Sequence, residues 1–78
     1  MKTTILACNK AEAERYQSRN CLFGATVVDT AKDLKSDTDK LILVGAYRLH
    51  RKWSAIEARM WDLTNRGSLV VEIEEWPE

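Results

Sequence analysis

A chain of 78 residues has room for one domain, and its twelve basic side chains balance twelve acidic ones to a formal net charge of zero. Hydrophobic residues make up 45% of the chain and charged residues 31%, which is typical of a globular fold and argues against an intrinsically disordered chain. The balanced charge argues against a dedicated polyanion binder. We therefore expect a single domain over residues 1–78.

The N-terminal stretch "MKTTILACNKAEAERY" has an apolar run too short for a signal peptide, and no run approaches the roughly 20 apolar residues of a membrane span. We expect a cytoplasmic protein with no membrane contact. Its two cysteines, Cys8 and Cys21, are then expected to be reduced thiols.

Three times along the chain, a short apolar run precedes a helix-start pattern. "TILAC" is followed by "NKAE", "ATVVD" by "TAKD", and "KLILVGAY", after a longer loop, by "SAIE". A fourth apolar run, "LVVEI", closes the chain. Each helix start is typical of a capping box, with the third the best formed. The three pairs are Asn9 with Glu12, Thr30 with Asp33, and Ser54 with Glu57.

The first helix is predicted over residues 10–19, with Ala13 and Tyr16 on its buried side and Asn20 as its stop. A second, short helix starts near Ala31 and has little more than a turn or two before "KSDTD".

The third helix is predicted over residues 55–66. Its spacing buries Ile56, Met60 and Leu63, and Gly67 ends it. Trp53 would then pack onto this helix just ahead of its Ser54 cap.

Strands alternating with helices predict an α/β fold with a four-stranded, mostly parallel sheet in the order 2-1-3-4. Right-handed crossovers put the first helix on one face and the other two on the opposite face. The link from Asp29 to Lys40 is short for a parallel crossover, so a mixed sheet is the alternative. On the last strand, alternation predicts Leu69, Val71 and Ile73 on the helix-covered face and Val70, Glu72 and Glu74 on the other.

Ligands of parallel sheets gather at the carboxyl ends of the strands. After the first strand come Cys8, Asn9 and Lys10; after the third comes "GAYRLHRKW", residues 45–53. Positive charge and aromatic side chains therefore crowd together at one rim. The predicted partner-binding residues are Lys10, Tyr47, Arg48, His50, Arg51, Lys52 and Trp53.

Catalytic and cofactor signals are weak. The first strand–helix turn, "ACNKAE", contains no phosphate-cradling glycine, and one histidine with two distant cysteines gives no metal-ligand spacing. A triad of Cys8, His50 and Asp29 can be drawn at the rim, but a buried thiol and a solvated histidine are the plainer interpretation. We expect no enzyme, cofactor or metal; an enzyme or nucleotide binder near Cys8 and His50 is the remote alternative.

Arg, Tyr and Trp are the side chains that most often anchor interfaces, so the rim favours contact with a protein or ribonucleoprotein complex. The alternative is a nucleic-acid-binding protein that uses residues 48–52, with Tyr47 or Trp53 stacking on a base.

The acidic C-terminal segment is a second candidate surface, formed by Glu72, Glu74, Glu75 and Trp76. It either discourages strand pairing as a solvated edge or meets a basic partner, including another copy's basic loop. Trp61 and Trp76 fit either the core or an interface, and the oligomeric state is open.

A bare α/β domain over residues 3–76, with uneven surface charge and no catalytic constellation, resembles small phage-encoded accessory proteins that block host or defence machinery, anti-CRISPR proteins among them. The likeness is one of size and architecture. It implies a non-enzymatic inhibitor in the host cytoplasm that occupies a surface of a larger complex.

Overall fold

The computed structural model describes residues 2–75, in which four parallel strands form one sheet in the order β2-β1-β3-β4. The predicted order is confirmed, and the sheet is parallel throughout rather than mixed. In chain order the elements are β1 (Thr3–Leu6), α1 (Lys10–Arg19), β2 (Thr26–Val27), a 3₁₀ turn (Ala31–Asp33), β3 (Lys40–Val44), a second 3₁₀ turn (Tyr47–Leu49), α2 (Trp53–Asn65) and β4 (Val70–Glu74). Among these residues, neither helix is long and apolar enough to cross a membrane.

The sheet is covered on both faces, as the continuous apolar run in β3 predicts. Two apolar clusters lie on opposite sides of it. The cluster under α1 contains Ile5, Ala7, Ala13, Tyr16, Ile42 and Val44. The cluster under α2 contains Leu6, Val28, Leu34, Leu41, Leu43, Tyr47, Ile56, Met60, Leu63 and Leu69.

Helix α1 has the predicted bounds. The side-chain oxygen of Asn9 accepts a hydrogen bond from the Glu12 N–H at 2.8 Å, and Asn20 caps the other end. Cys21 follows with a φ of +54°, a left-handed conformation that L-residues other than glycine rarely adopt.

The start of α2 differs from the prediction. The helix begins at Trp53, with Lys52 as its cap residue and no capping hydrogen bond from a side chain. The chain is already turning, because the Trp53 N–H donates to the His50 carbonyl at 3.0 Å. Ser54 therefore lies inside the first turn, and the capping box predicted for Ser54 and Glu57 is wrong.

A 3₁₀ turn, rather than an α-helix, connects β2 to β3. The crossover therefore needs fewer residues than one that contains an α-helix. One oxygen of the Asp33 carboxylate accepts from the N–H groups of Asp29 at 3.0 Å and Thr30 at 2.9 Å. These backbone hydrogen bonds, led by that of Asp29, lower the pKa of Asp33 against the opposing effect of burial. The Thr30–Asp33 pair, the weaker match in sequence, is thus better built than the Ser54–Glu57 pair.

Strand β4 only partly follows its predicted alternation. Leu69 and Val71 pack against the cluster under α2, but Ile73 is 66% exposed. Because α2 leaves an open groove beside β4, the helix does not cover the carboxyl end of this edge strand. The prediction that Ile73 is covered is wrong.

Candidate functional site

The carboxyl ends of β1, β2 and β3 meet at one rim around a shallow cavity of about 400 Å³. The cavity brings the first strand–helix turn beside residues 45–53, which we call the rim loop. Its lining consists of Cys8, Asn9, Lys10, Ala11, Asp29, Leu49, His50 and Arg51.

His50 anchors the rim loop through contacts made by its buried side chain. Its side chain is only 1% exposed, and its Nε2 lies 3.3 Å from Asp29 Oδ1. Its Nδ1 accepts a hydrogen bond from the Lys52 N–H at 3.0 Å. The tautomer with the proton on Nε2 satisfies both contacts. The expectation of a solvated histidine is therefore wrong, and the predicted contact of His50 with a partner would have to be made without an exposed ring.

Tyr47 is the second anchor of the rim loop. It belongs to the cluster under α2 and is 7% exposed, and its ring packs edge-on against Trp53 with centroids 5.1 Å apart. The Arg48 guanidinium carbon lies 5.6 Å from the Tyr47 ring centroid, within cation–π range. Tyr47 is thus not available to supply contact area or to stack on a base, contrary to the sequence expectation.

The exposed side of the rim loop carries the larger side chains Arg48, Leu49, Arg51 and Lys52 as well as the small Ala46, and Lys10 is exposed across the cavity. Leu49 is 78% exposed, and sequence reasoning missed it. The sequence does contain a signal for the exposure of Leu49. Tyr47 and His50 are three residues apart, which is the period of a 3₁₀ turn, so their side chains share a face. When both side chains face inward, Leu49 between them faces outward.

Two of the predicted cations have carboxylate neighbours. Arg51 Nη2 lies 3.8 Å from Asp29 Oδ2, and Lys10 Nζ lies 4.0 Å from Glu14 Oε1. Such long, exposed pairs are weak, so both cations keep most of their capacity for a partner. Trp53 is half-buried and offers only part of its ring.

The triad of Cys8, His50 and Asp29 is not assembled as a nucleophile and its base. Both ring nitrogens of His50 are engaged, by Asp29 and by the Lys52 N–H, so neither is left to accept a proton from Cys8. The Cys8 sulfur instead accepts a long contact from Asn9 Nδ2 at 3.7 Å. In the part of the chain that the structure describes, no cluster of three histidine, cysteine or carboxylate side chains can hold a metal ion.

The second candidate surface lies along β4. Glu72 pairs with Lys40 at 3.0 Å, whereas Glu74 and Glu75 are exposed. Glu72 and Glu74 lie on the α1 side of the sheet, because they are in register with Ile42 and Val44 of the cluster under α1. Burial, followed by the negative charges of Glu74 and Glu72, raises the pKa of Tyr16 in that cluster. Trp76 lies outside the described residues.

A groove of about 420 Å³ separates β4 from α2. Trp61 forms part of the wall of this groove and is 53% exposed. The sequence alone does not decide whether Trp61 belongs to the core or to an interface. The full lining is Leu43, Tyr47, Arg48, Trp53, Glu57, Met60, Trp61, Val71 and Ile73.

No protein-family model, curated protein or solved structure matches the chain. The resemblance to small phage-encoded inhibitors therefore stays a prediction from size and architecture, and function has to be argued from the geometry of the rim and of β4.

Proposed function

We propose that the protein is a non-enzymatic protein-binding module whose rim loop occupies a surface of a larger macromolecular complex. The observation that supports this proposal most directly is Leu49, a large apolar side chain that is 78% exposed between Arg48 and Arg51. An exposed apolar residue flanked by arginines matches the anatomy of interfaces, in which an apolar centre is surrounded by a polar rim and arginine is enriched.

The rim loop is held in a binding-ready shape. Tyr47 is buried below it, and the His50 ring bonds to Asp29 and to the Lys52 N–H. The Leu49 N–H also donates to the Ala46 carbonyl at 2.9 Å. Since the backbone of the loop is ordered before binding, the conformational entropy lost on association comes mainly from ordering the exposed side chains.

The charge of the rim specifies the partner's chemistry. Arg48, Arg51 and Lys52 lie on the loop, and Lys10 adds a fourth cation from α1. We expect an acidic protein surface with an apolar depression for Leu49, whose carboxylates pair with the two guanidinium groups. Inhibition of host defence in the manner of phage inhibitors is the specific form that the resemblance implies.

The test compares two variants that remove equally exposed apolar side chains from opposite ends of the sheet. Leu49→Asp changes the rim, whereas Phe23→Asp changes a residue that is 72% exposed before the amino end of β2. A partner captured from the native or infected cell is identified by mass spectrometry and then purified and titrated. Leu49→Asp should weaken that complex by about 100-fold, since a buried leucine anchor is worth roughly 2–3 kcal/mol. Phe23→Asp should leave it unchanged, and equal affinity of the two variants would reject the proposal.

A salt titration distinguishes this function from binding of nucleic acid. A short single-stranded RNA and the purified partner are each titrated against the wild type and against Arg48→Glu. Contact with phosphates would give RNA binding that falls steeply with salt. We expect weak RNA binding, because the buried Tyr47 offers no stacking face, and RNA binding tighter than partner binding would overturn the proposal.

A further inference from the structure

The outer edge of β4 presents unpaired backbone groups. The Val70 N–H donates to the Asp39 carbonyl, and the Glu74 carbonyl accepts from the Gly45 N–H, both at 2.9 Å. The amide and carbonyl groups of one strand residue point to the same side, and the side alternates from residue to residue. Those of Val71 and Ile73 therefore point away from β3, and within residues 2–75 no strand lies beyond β4.

The same two residues border the groove beside α2. Val71 and Ile73 form one wall, and Trp53, Met60 and Trp61 lie across from them. An open backbone edge next to an apolar groove is what recognition by strand addition requires. Main-chain hydrogen bonds supply affinity there, and pockets for alternate side chains supply specificity.

The charge along this edge selects the occupant. Glu74 and Glu75 are exposed and form no ion pair with any other residue between positions 2 and 75. The groove itself is lined by one carboxylate, Glu57, and one cation, Arg48, so the excess negative charge lies on the strand. A second copy of the chain fits poorly in the register that pairs the whole strand. If two β4 strands paired antiparallel about Glu72, so that all five residues were paired, Glu72 would lie opposite Glu72, which is destabilising. Pairing about Ile73 would set Glu72 opposite Glu74, and pairing about Val71 avoids such a contact but joins only Val70, Val71 and Glu72.

We propose that β4 accepts an extended segment of a partner protein as a fifth strand, with alternating apolar and basic side chains. The apolar side chains enter the groove beside Trp61, and the basic ones lie against Glu74 and its neighbours on the opposite face. The groove borders the rim loop at Tyr47, Arg48 and Trp53, but Leu49 does not line it. Leu49→Asp and the Ile73 variants described below therefore test the two proposals separately.

The experiment uses two synthetic peptides as probes, one of alternating valine and lysine and one of alternating valine and glutamate. Each is titrated to millimolar concentration into the full isotope-labelled chain, and backbone amide spectra and amide exchange rates are recorded. The lysine peptide should shift the Val71 and Ile73 amide signals and slow their exchange with solvent. The glutamate peptide should not. Equal effects of both peptides, or no effect of either, would overturn the proposal.

Two substitutions of Ile73 isolate the backbone contribution. Ile73→Pro removes an N–H that points outward, so the bonds to β3 stay in place, and proline is tolerated at such edge positions. Ile73→Thr shortens the side chain but keeps the N–H. Proline should weaken peptide binding by about tenfold more than threonine, the factor for one lost hydrogen bond of roughly 1.4 kcal/mol.

The last variant reverses the charge of a glutamate on β4. Glu74→Lys should shift the preference towards the glutamate peptide, with both thermal stability and rim-loop binding retained. Proline and threonine variants that bind alike, or a Glu74→Lys variant with unchanged preference, contradict strand addition. A concentration-dependent dimer of the wild type without peptide, seen by sedimentation, would assign the edge to a second copy and overturn the proposal.

Discussion

The imidazole of His50 and the carboxylate of Asp29 join the rim loop to the end of β2 across 3.3 Å. Because the other ring nitrogen accepts the Lys52 N–H, a single buried side chain ties together the end of one strand, a 3₁₀ turn and the first turn of a helix. This contact gives the rim its shape.

Replacing His50 with alanine should therefore destabilise the fold. His50→Ala leaves the Lys52 N–H without its acceptor and opens a cavity, which together cost about 2–3 kcal/mol in the free energy of unfolding. Urea denaturation followed by tryptophan fluorescence measures this cost. Lys52→Ala, an exposed change next to the same backbone bond, should cost less than about 0.5 kcal/mol. Equal stability of the two variants would contradict the anchoring role.

We expect the fold to lose stability in acid when the Asp33 carboxylate becomes protonated. Its pKa is lowered in the fold from an ordinary value of 3.8, first by the Asp29 N–H and then by the Thr30 N–H. A lowered folded pKa means that the stabilisation is complete above the unfolded value and is lost as the pH falls through the folded one. Asp33→Asn should thus cost about 1 kcal/mol near neutral pH, the size of a lost cap, and progressively less below about pH 3.8.

Urea midpoints of the wild type and of Asp33→Asn between about pH 7 and about pH 2 test this sign. Lys32→Ala, a change in the same turn that keeps the carboxylate, should retain the wild-type pH profile. A cost of Asp33→Asn that is constant across the range would show that the carboxylate's charge has no part in it.

Cys21 marks a strained backbone position after α1. Its φ of +54° suits glycine, its side chain is exposed, and it forms no disulfide. Cys21→Gly should raise the free energy of unfolding by about 0.5–1 kcal/mol, because the gain from relieved strain exceeds the entropy that glycine adds to the unfolded chain. Cys21→Ala removes the thiol but keeps the strain, so it should stay near wild type. If the alanine variant is stabilised as much as the glycine variant, the thiol rather than the backbone is responsible.

Local signals were sufficient to predict much of the fold. Asn9 and Asn20 bound α1 through hydrogen bonds made within a few residues of each, so the sequence alone predicted both ends. The strand order was predicted from the alternation of strands and helices, and the handedness of the crossovers then assigned each helix to a face of the sheet. The start of α2 could not be predicted in this way, because the local pattern at Ser54 competes with a turn held by the burial of His50.

The candidate site was predicted by position but not by exposure. Composition placed cations and aromatic rings at one rim, yet it did not show that Tyr47 and His50 face inward while Leu49 faces solvent. Likewise, alternation predicted the face on which Ile73 lies, but not how far α2 extends over it. Both properties depend on packing between distant segments, which a periodic pattern does not encode.

The two border strands of the sheet differ in length, and this difference limits how copies of the protein can assemble through the sheet. At one border β2 contributes only Thr26–Val27, too short to template another chain, whereas β4 offers Val70–Glu74 at the other. Endless fibres need two usable borders per subunit, so that each copy can recruit the next. With a single usable border, we expect any assembly through the sheet to stop after one addition instead of growing into a fibre.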